Sequence, residues 1–128
     1  MTAFALETNA VSALLDGDQA LVALLGRADM LSLPVIVVGE YRYGLQRSHH
    51  RRQLESLLQQ LVAASEVLSV SLETTAVSAQ TRERLRARRR PLPENDVWSA
   101  ALCLEHDLQL VTRDRDFERV EGLRTASW

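Results

Sequence analysis

Lysine is absent from the 128 residues, and all 15 basic side chains are arginine. Rossmann-like phosphatases and receiver domains use a lysine beside a phosphoaccepting Asp, and this chain offers neither the lysine nor, at position 7, the Asp. Cysteine occurs once, as Cys103, so an internal disulfide and a cysteine-based zinc cluster are excluded. Glycine and proline are scarce, at 5 and 3 residues, which sets the chain apart from collagen-like and low-complexity sequences. The longest apolar runs, such as Leu33 to Val38, fall far short of the roughly 20 residues that a membrane-spanning helix needs. The opening residues, Met1 to Glu7, carry no basic region and no long apolar stretch of the kind a secretion signal requires. The expected location is the cytoplasm. An excess of positive charge is also missing: the net charge is -2, so the protein as a whole has no bulk attraction for nucleic acid.

The composition, 46% hydrophobic and 25% charged, suits a chain with a packed core, and the length suits one domain over 1–128, within the usual range of about 100 to 200 residues. Hydrophobic periodicity supplies the elements. Ala3 to Leu6 reads as a strand, and Val11, Leu14 and Leu15 recur at helical spacing up to the break at Asp16-Gly17-Asp18. Gln19 to Ala28 reads as a second short helix and Leu31 to Leu33 as a strand. Val35 to Gln46 carries both signals: its β-branched run favours a strand, while Pro34 at the start and apolar residues at three- and four-residue spacing favour a helix, the reading adopted. Leu54, Leu57, Leu58, Leu61 and Val62 form a helical stripe. Val67 to Leu72 alternates as a strand, and Thr74 to Arg89 follows as a helix ended by Pro91 and Pro93. Asn95 is placed to cap a buried helix over Asp96 to His106. Leu108 to Val111 and Leu123 to Ala126 complete the strands, with a polar loop and a short helical piece between them. Strands alternating with helices imply an α/β fold, a mainly parallel central sheet covered by helices on both faces.

In such a sheet the functional crevice lies beyond the carboxyl ends of the strands. Four acids fall there: Glu7 after the first strand, Glu40 early in the helix after the second, Asp96 at the start of the buried helix, and Asp114 after Leu110-Val111-Thr112. A carboxylate beside a core is costly without a partner, and no arginine shares this placement. A cation is the simplest partner, and an all-oxygen set without His or Cys suits Mg2+ or Mn2+ rather than zinc.

The segments Leu6-Glu7-Thr8-Asn9, Gly39-Glu40 with Arg42-Tyr43-Gly44, Pro93-Glu94-Asn95-Asp96 with Trp98 and Ala100-Ala101, Leu110-Val111-Thr112-Arg113-Asp114 with Phe117, and Val120-Glu121-Gly122-Leu123 occur in the order found in PIN domains. The chain resembles that family from end to end, most closely its VapC-type ribonuclease toxins. The resemblance implies a Rossmann-like PIN fold, divalent-metal endoribonuclease activity on RNA, a homodimer and an antitoxin protein as partner. It also implies site roles. Glu7, Asp96 and Asp114 would hold the metal, with Glu7 central. Glu40 would complete the negative pocket and orient or deprotonate water. Asn9 and Thr112 would fix carboxylates or touch phosphate, and Asp116 would be accessory. Where the family has Asp in its first-strand Asp-Thr-Asn motif, this chain has Glu7, which keeps the charge on a side chain one methylene longer. Two readings stay open: a nuclease weakened at that position, and a PIN domain without chemistry that binds RNA or a protein.

The arginines are not spread evenly. Arg82 to Arg90 holds six Arg against one Glu, and Arg47, Arg51 and Arg52 stand beside His49 and His50. Arginine suits bidentate phosphate contact, which makes Arg86, Arg88 and Arg89 candidates for RNA binding; a solvated helix face is the plainer reading of the same run. His49, His50 and His106 lack metal-ligand spacing. Cys103 reads as core, and Trp98 and Tyr43 read as packing or dimer contacts.

Overall fold

The computed structural model describes residues 2–128. The chain runs β1 (Thr2–Leu6), α1 (Thr8–Leu15), α2 (Gln19–Leu25), β2 (Ala28–Pro34), α3 (Val35–Leu45), α4 (Arg51–Ala63), β3 (Glu66–Leu68), α5 (Leu72–Ala87), α6 (Glu94–Glu105), β4 (Gln109–Val111), a 3-10 turn (Arg115–Arg119) and β5 (Thr125–Ala126). The strands form one sheet in the order β3-β2-β1-β4-β5, and every pairing is parallel.

Alternation along the central strand divides the core. Phe4 and Leu6 of β1 face one cluster with Leu33 of β2 and Val11, Leu21, Val37 and Leu58 from α1 to α4. Ala5 faces the other, with Leu85, Val97, Ala100, Cys103 and Phe117. β4 repeats the split, Val111 joining the first cluster and Leu110 the second. Helices thus cover both faces, as β-α alternation requires. Against Ala5, α6 presents the fully buried Ala100 and Cys103, small side chains that let its backbone sit close to the sheet. Burial pushes the Cys103 thiol up to about 12, so it is a core residue and not a nucleophile.

The segment with two signals, after Pro34, is the helix α3, with Pro34 at its N-cap. The periodic reading runs α2 past its end at Leu25 to Ala28 and starts β4 and β5 early, at Leu108 and Leu123 instead of Gln109 and Thr125. Four further differences have a visible cause. First, β2 begins at Ala28 and not at Leu31, because its opening residues, Asp29 and Met30 among them, are exposed and the strand enters the core only at Ser32. Second, β3 stops at Leu68. Ser71 and Thr74 then form a reciprocal capping box, which starts α5 at Leu72 rather than Thr74 by satisfying otherwise orphaned N–H groups. Third, α5 ends at Ala87 because Arg89 turns left-handed (φ 56°) and Arg90 N–H donates back to the Leu85 carbonyl at 3.0 Å, a termination usually assigned to glycine. Fourth, Pro93 and not Asn95 caps α6, leaving the Asn95 side chain to serve elsewhere.

Candidate active site

β1 lies between β2 and β4, and the chain leaves it toward β2 and β3 first and returns to β4 and β5 later. The strand order therefore switches between β1 and β4, and a crevice opens at their carboxyl ends. Glu7 follows β1 and is only 7% exposed. Its N–H is held by the Val111 carbonyl at 3.1 Å, and its Oε2 accepts from the Asn9 N–H at 3.2 Å, so it caps α1 as well as facing the crevice. From α3 comes Glu40, half-buried, which accepts from Thr8 Oγ1 at 3.5 Å and has the Asn95 side chain near enough to favour its charged form. The first turn of α6 supplies Asp96. Carboxylate oxygens of Glu7, Glu40 and Asp96 all lie within 4.8 Å of one another.

Among the described residues, no Arg or His pairs with Glu7, Glu40, Asp96 or Asp114. The electrostatic consequence falls on Asp96, whose pKa is pushed up to about 6, first by burial and then by the charges of Glu7, Glu40, Asp114 and Asp116. Glu40 is raised for the same two reasons, burial and then Glu7, against the pull of Asn95 and Thr8. Carboxylates that resist ionising together and have no protein cation are what a bound divalent ion would relieve. The donors are oxygens alone, which fits a hard ion of the Mg2+ or Mn2+ type.

Asp114 stands at the rim of this set. Its N–H donates to Thr112 Oγ1 at 3.0 Å, and its Oδ1 accepts from the Asp116 N–H at 2.9 Å, capping the 3-10 turn. It reaches Asp96 through its field but is not one of the three converging acids. Asp116 is exposed and paired with Arg119 at 3.0 Å. Asn9 and Thr112 act as the brace between the two strand ends: Asn9 Nδ2 donates to Thr112 Oγ1 at 3.2 Å, and Asn9 Oδ1 accepts from the Arg113 N–H at 3.2 Å.

The candidate RNA-binding arginines lie apart from the acids. Arg86 pairs with Glu83 at 2.6 Å and Arg88 with Glu121 at 3.2 Å; Arg89 makes no ion pair among the described residues. Arg82 reaches Glu94 at 3.5 Å, which ties the run to the turn of α6 that carries Asp96. Two open clefts flank Glu40. One, about 300 Å³, lies between α1 and α3 and is lined by Thr8, Ser12, Asp16, Tyr41 and Ser48. The other, about 570 Å³, has Val35, Ile36, Gly39, Tyr43 and Asn95 for walls. Sequence reasoning missed Thr8 and Asn95 as partners of Glu40. Thr8 lies within Glu-Thr-Asn and could have been read from it; Asn95 was masked by its resemblance to a helix cap.

An acidic cluster at the switch point of a parallel, doubly covered sheet defines a Rossmann-like α/β domain with a cation-seeking crevice. Residues 4–123 match the family model of the PIN domain, and the chain belongs to the PIN domain family. It is 24% identical over 106 residues to ribonuclease VapC2 of Rickettsia felis, covering 82% of this chain and 79% of that one. To the tRNA(fMet)-specific endonuclease VapC of Shigella flexneri it is 29% identical over 94 residues, 73% of this chain and 71% of that one. Among solved structures, the DNA-bound VapBC of Salmonella typhimurium superposes with a TM-score of 0.90 at 22% identity, over 100% of this chain and 99% of that one. That last likeness is one of fold.

Proposed function

We propose that this chain, read as one PIN domain over 1–128, is a divalent-metal-dependent endoribonuclease, the toxin of a toxin-antitoxin pair. The observation that carries the reading is the convergence of Glu7, Glu40 and Asp96 within 4.8 Å with no Arg or His paired to them among the described residues. The names of the relatives, ribonucleases of VapC type, supply the substrate class, RNA, and the VapBC complex among the structural neighbours supplies the partner class, an antitoxin protein. The cell's cytoplasm, where RNA is met, is the compartment proposed, with a homodimer as the working assembly.

In this reading Glu7 and Asp96 hold the ion, Mg2+ or Mn2+, Glu40 closes the negative pocket beside them, and Asp114 adds negative charge from the β4 end. The bound ion would offset phosphate repulsion, polarise the scissile group and lower the pKa of water. Glu40, with its pKa raised, is placed to take a proton from an attacking water. Asn9 and Thr112 keep the β1 and β4 ends in register so that the acids stay aimed at one point.

A second reading is favoured by one detail: Glu7 spends Oε2 on the Asn9 N–H, so part of its carboxylate serves the helix rather than the crevice. A PIN domain in which this longer side chain no longer holds metal would bind RNA or a protein without cutting. Structured RNA incubated with Mn2+, with and without EDTA, separates the two. Cleavage by the protein, lost on chelation and increased in Glu7→Asp, supports the nuclease; no cleavage by either supports the binding module.

A further inference from the structure

The segment that carries Thr112 and Asp114 is tied down by side chains that lie outside the acidic crevice. Arg113 is the knot. Its backbone N–H donates to Asn9 Oδ1 at 3.2 Å, its Nε donates to the Trp128 carbonyl at 3.1 Å, and its guanidinium lies 4.5 Å above the Trp128 ring centroid. Trp128 is fixed in turn, its indole N–H donating to Asp18 Oδ2 at 3.2 Å while the ring packs against the buried cluster that includes Val11 and Leu21. Asp18 Oδ2 also faces the Arg113 guanidinium at 3.9 Å, and Asp18 Oδ1 caps α2 by accepting from the Leu21 N–H at 3.1 Å.

We propose that Trp128, Arg113 and Asp18 form a clamp that positions the Thr112–Asp114 segment for the acidic crevice, with Trp128 as its positioning residue. Three features make this more than surface decoration. The contacts join three separate parts of the chain, the α1–α2 turn, the β4 end and the segment after β5, at the one loop whose backbone presents Asp114. Connecting loops are the mobile parts of a fold unless something holds them. The guanidinium is used through its plane and its Nε at once, which a lysine could not reproduce. And the clamp engages Arg113, the arginine next to Asp114 in sequence, with Asp18 and the indole, away from the acids. Trp128 touches none of Glu7, Glu40, Asp96 or Asp114 through any hydrogen bond among the described residues, so its effect on the site must pass through Arg113 and the loop.

The proposal rests on the nuclease reading for its catalytic consequence but not for its structural one, and the test has an arm for each. Amide hydrogen exchange is measured on the protein and on Trp128→Ala, Trp128→Phe and Arg113→Lys. Mg2+ affinity is read calorimetrically, and RNA cleavage is resolved into kcat and KM. Trp128→Ala is expected to speed exchange at 112–116 about tenfold while the β1 and α6 amides keep their rates. Mg2+ affinity is expected to weaken about tenfold, and kcat to fall while KM changes little. Trp128→Phe keeps a ring beneath the guanidinium and should recover most of this; Arg113→Lys should not. In a Trp98→Phe background, Trp128 is the one remaining indole, and its emission should shift in Arg113→Lys. Loop exchange unchanged in Trp128→Ala, or accelerated equally throughout the protein, would overturn the clamp. If the unaltered protein neither binds Mg2+ nor cuts RNA, the nuclease reading falls, while the exchange measurement still decides whether the loop is clamped.

Discussion

Two charged regions of this protein are built on opposite plans. In the crevice, Glu7 from the β1–α1 junction, Glu40 from α3 and Asp96 from α6 are drawn together at the edge of the core and, among the described residues, left without arginine partners. Along α5 and just past its end, arginines are laid out on an exposed face and four of the six from Arg82 to Arg90 are given an acid: Glu94 for Arg82, Glu83 for Arg86, and one shared Glu121 for Arg84 and Arg88. Exposed pairs of this kind contribute about 0 to 1 kcal/mol each, so the partners hold these arginines loosely, in water that screens them. The crevice has no such partners, as the raised Asp96 records. A region that stores unrelieved negative charge is suited to hold an ion; a basic run whose charges are only partly and loosely matched is suited to exchange its partners for phosphates at little cost.

The sharpest separation of the two plans is Asp96→Asn. Losing one of three converging carboxylates is expected to reduce Mg2+-dependent RNA cleavage by about 100-fold or more while circular dichroism and thermal stability report an intact fold. Undiminished cleavage would remove the crevice from the chemistry. Next in size is the neutralisation of Arg86, Arg88 and Arg89 together to Gln. If these side chains give up Glu83 and Glu121 for phosphates, RNA affinity at low salt should fall about tenfold and the slope of log affinity against log salt should flatten by about 2. An unaltered slope would assign the run to a solvated face.

A smaller effect follows from pH. The Asp96 carboxyl takes up its proton at about 6 in the fold, above its ordinary value of 3.8, and Glu40 is displaced in the same direction. Between those values the folded metal-free protein binds more protons than the unfolded chain, so its stability should decline as pH rises from about 4 to about 6. With the group partly exposed, screening limits the decline to on the order of 1 kcal/mol. Saturating Mg2+ or Asp96→Asn should flatten it, as equilibrium denaturation in urea at several pH values would show; a stability that climbs over this range would contradict the uncompensated crevice. The smallest effect concerns the other region. Arg89 occupies a left-handed conformation (φ 56°) that glycine adopts without steric cost, so Arg89→Gly should stabilise the protein by about 0.5 to 1 kcal/mol even as it removes a charge. A loss of stability would mean that the Arg89 side chain makes contacts worth more than its strain.

The layered α/β fold was legible because the residues that make it are buried on a period: Phe4 and Leu6 against Ala5, Leu110 against Val111. Boundaries were misread where the signal is a pair of local hydrogen bonds, as at the Ser71–Thr74 box, or where strand residues such as Asp29 and Met30 are exposed and carry no pattern. The four acids could be named from their places after strands and at helix starts. Which of them converge was not legible, because Asp114 stands nearer a strand end in sequence than Glu40, which lies within α3, and only the packing of α3 against α1 and α6 brings the Glu40 carboxylate inward. The Arg113–Trp128 contact lay beyond reach altogether: the two are 15 residues apart, and neither shares a motif or a period with the other.

Glu7 stands at the N-cap of α1, and Asp96 stands in the first turn of α6. Both helices thus aim their amino ends, with the partial positive charge of unpaired N–H groups, into the same negative space, an effect of about 0.3 to 1 kcal/mol per helix. The backbone itself therefore acts as a weak resident counterion. If the crevice takes a divalent ion, a newly made chain could close around its acids first, and folding and loading would then be successive events rather than one.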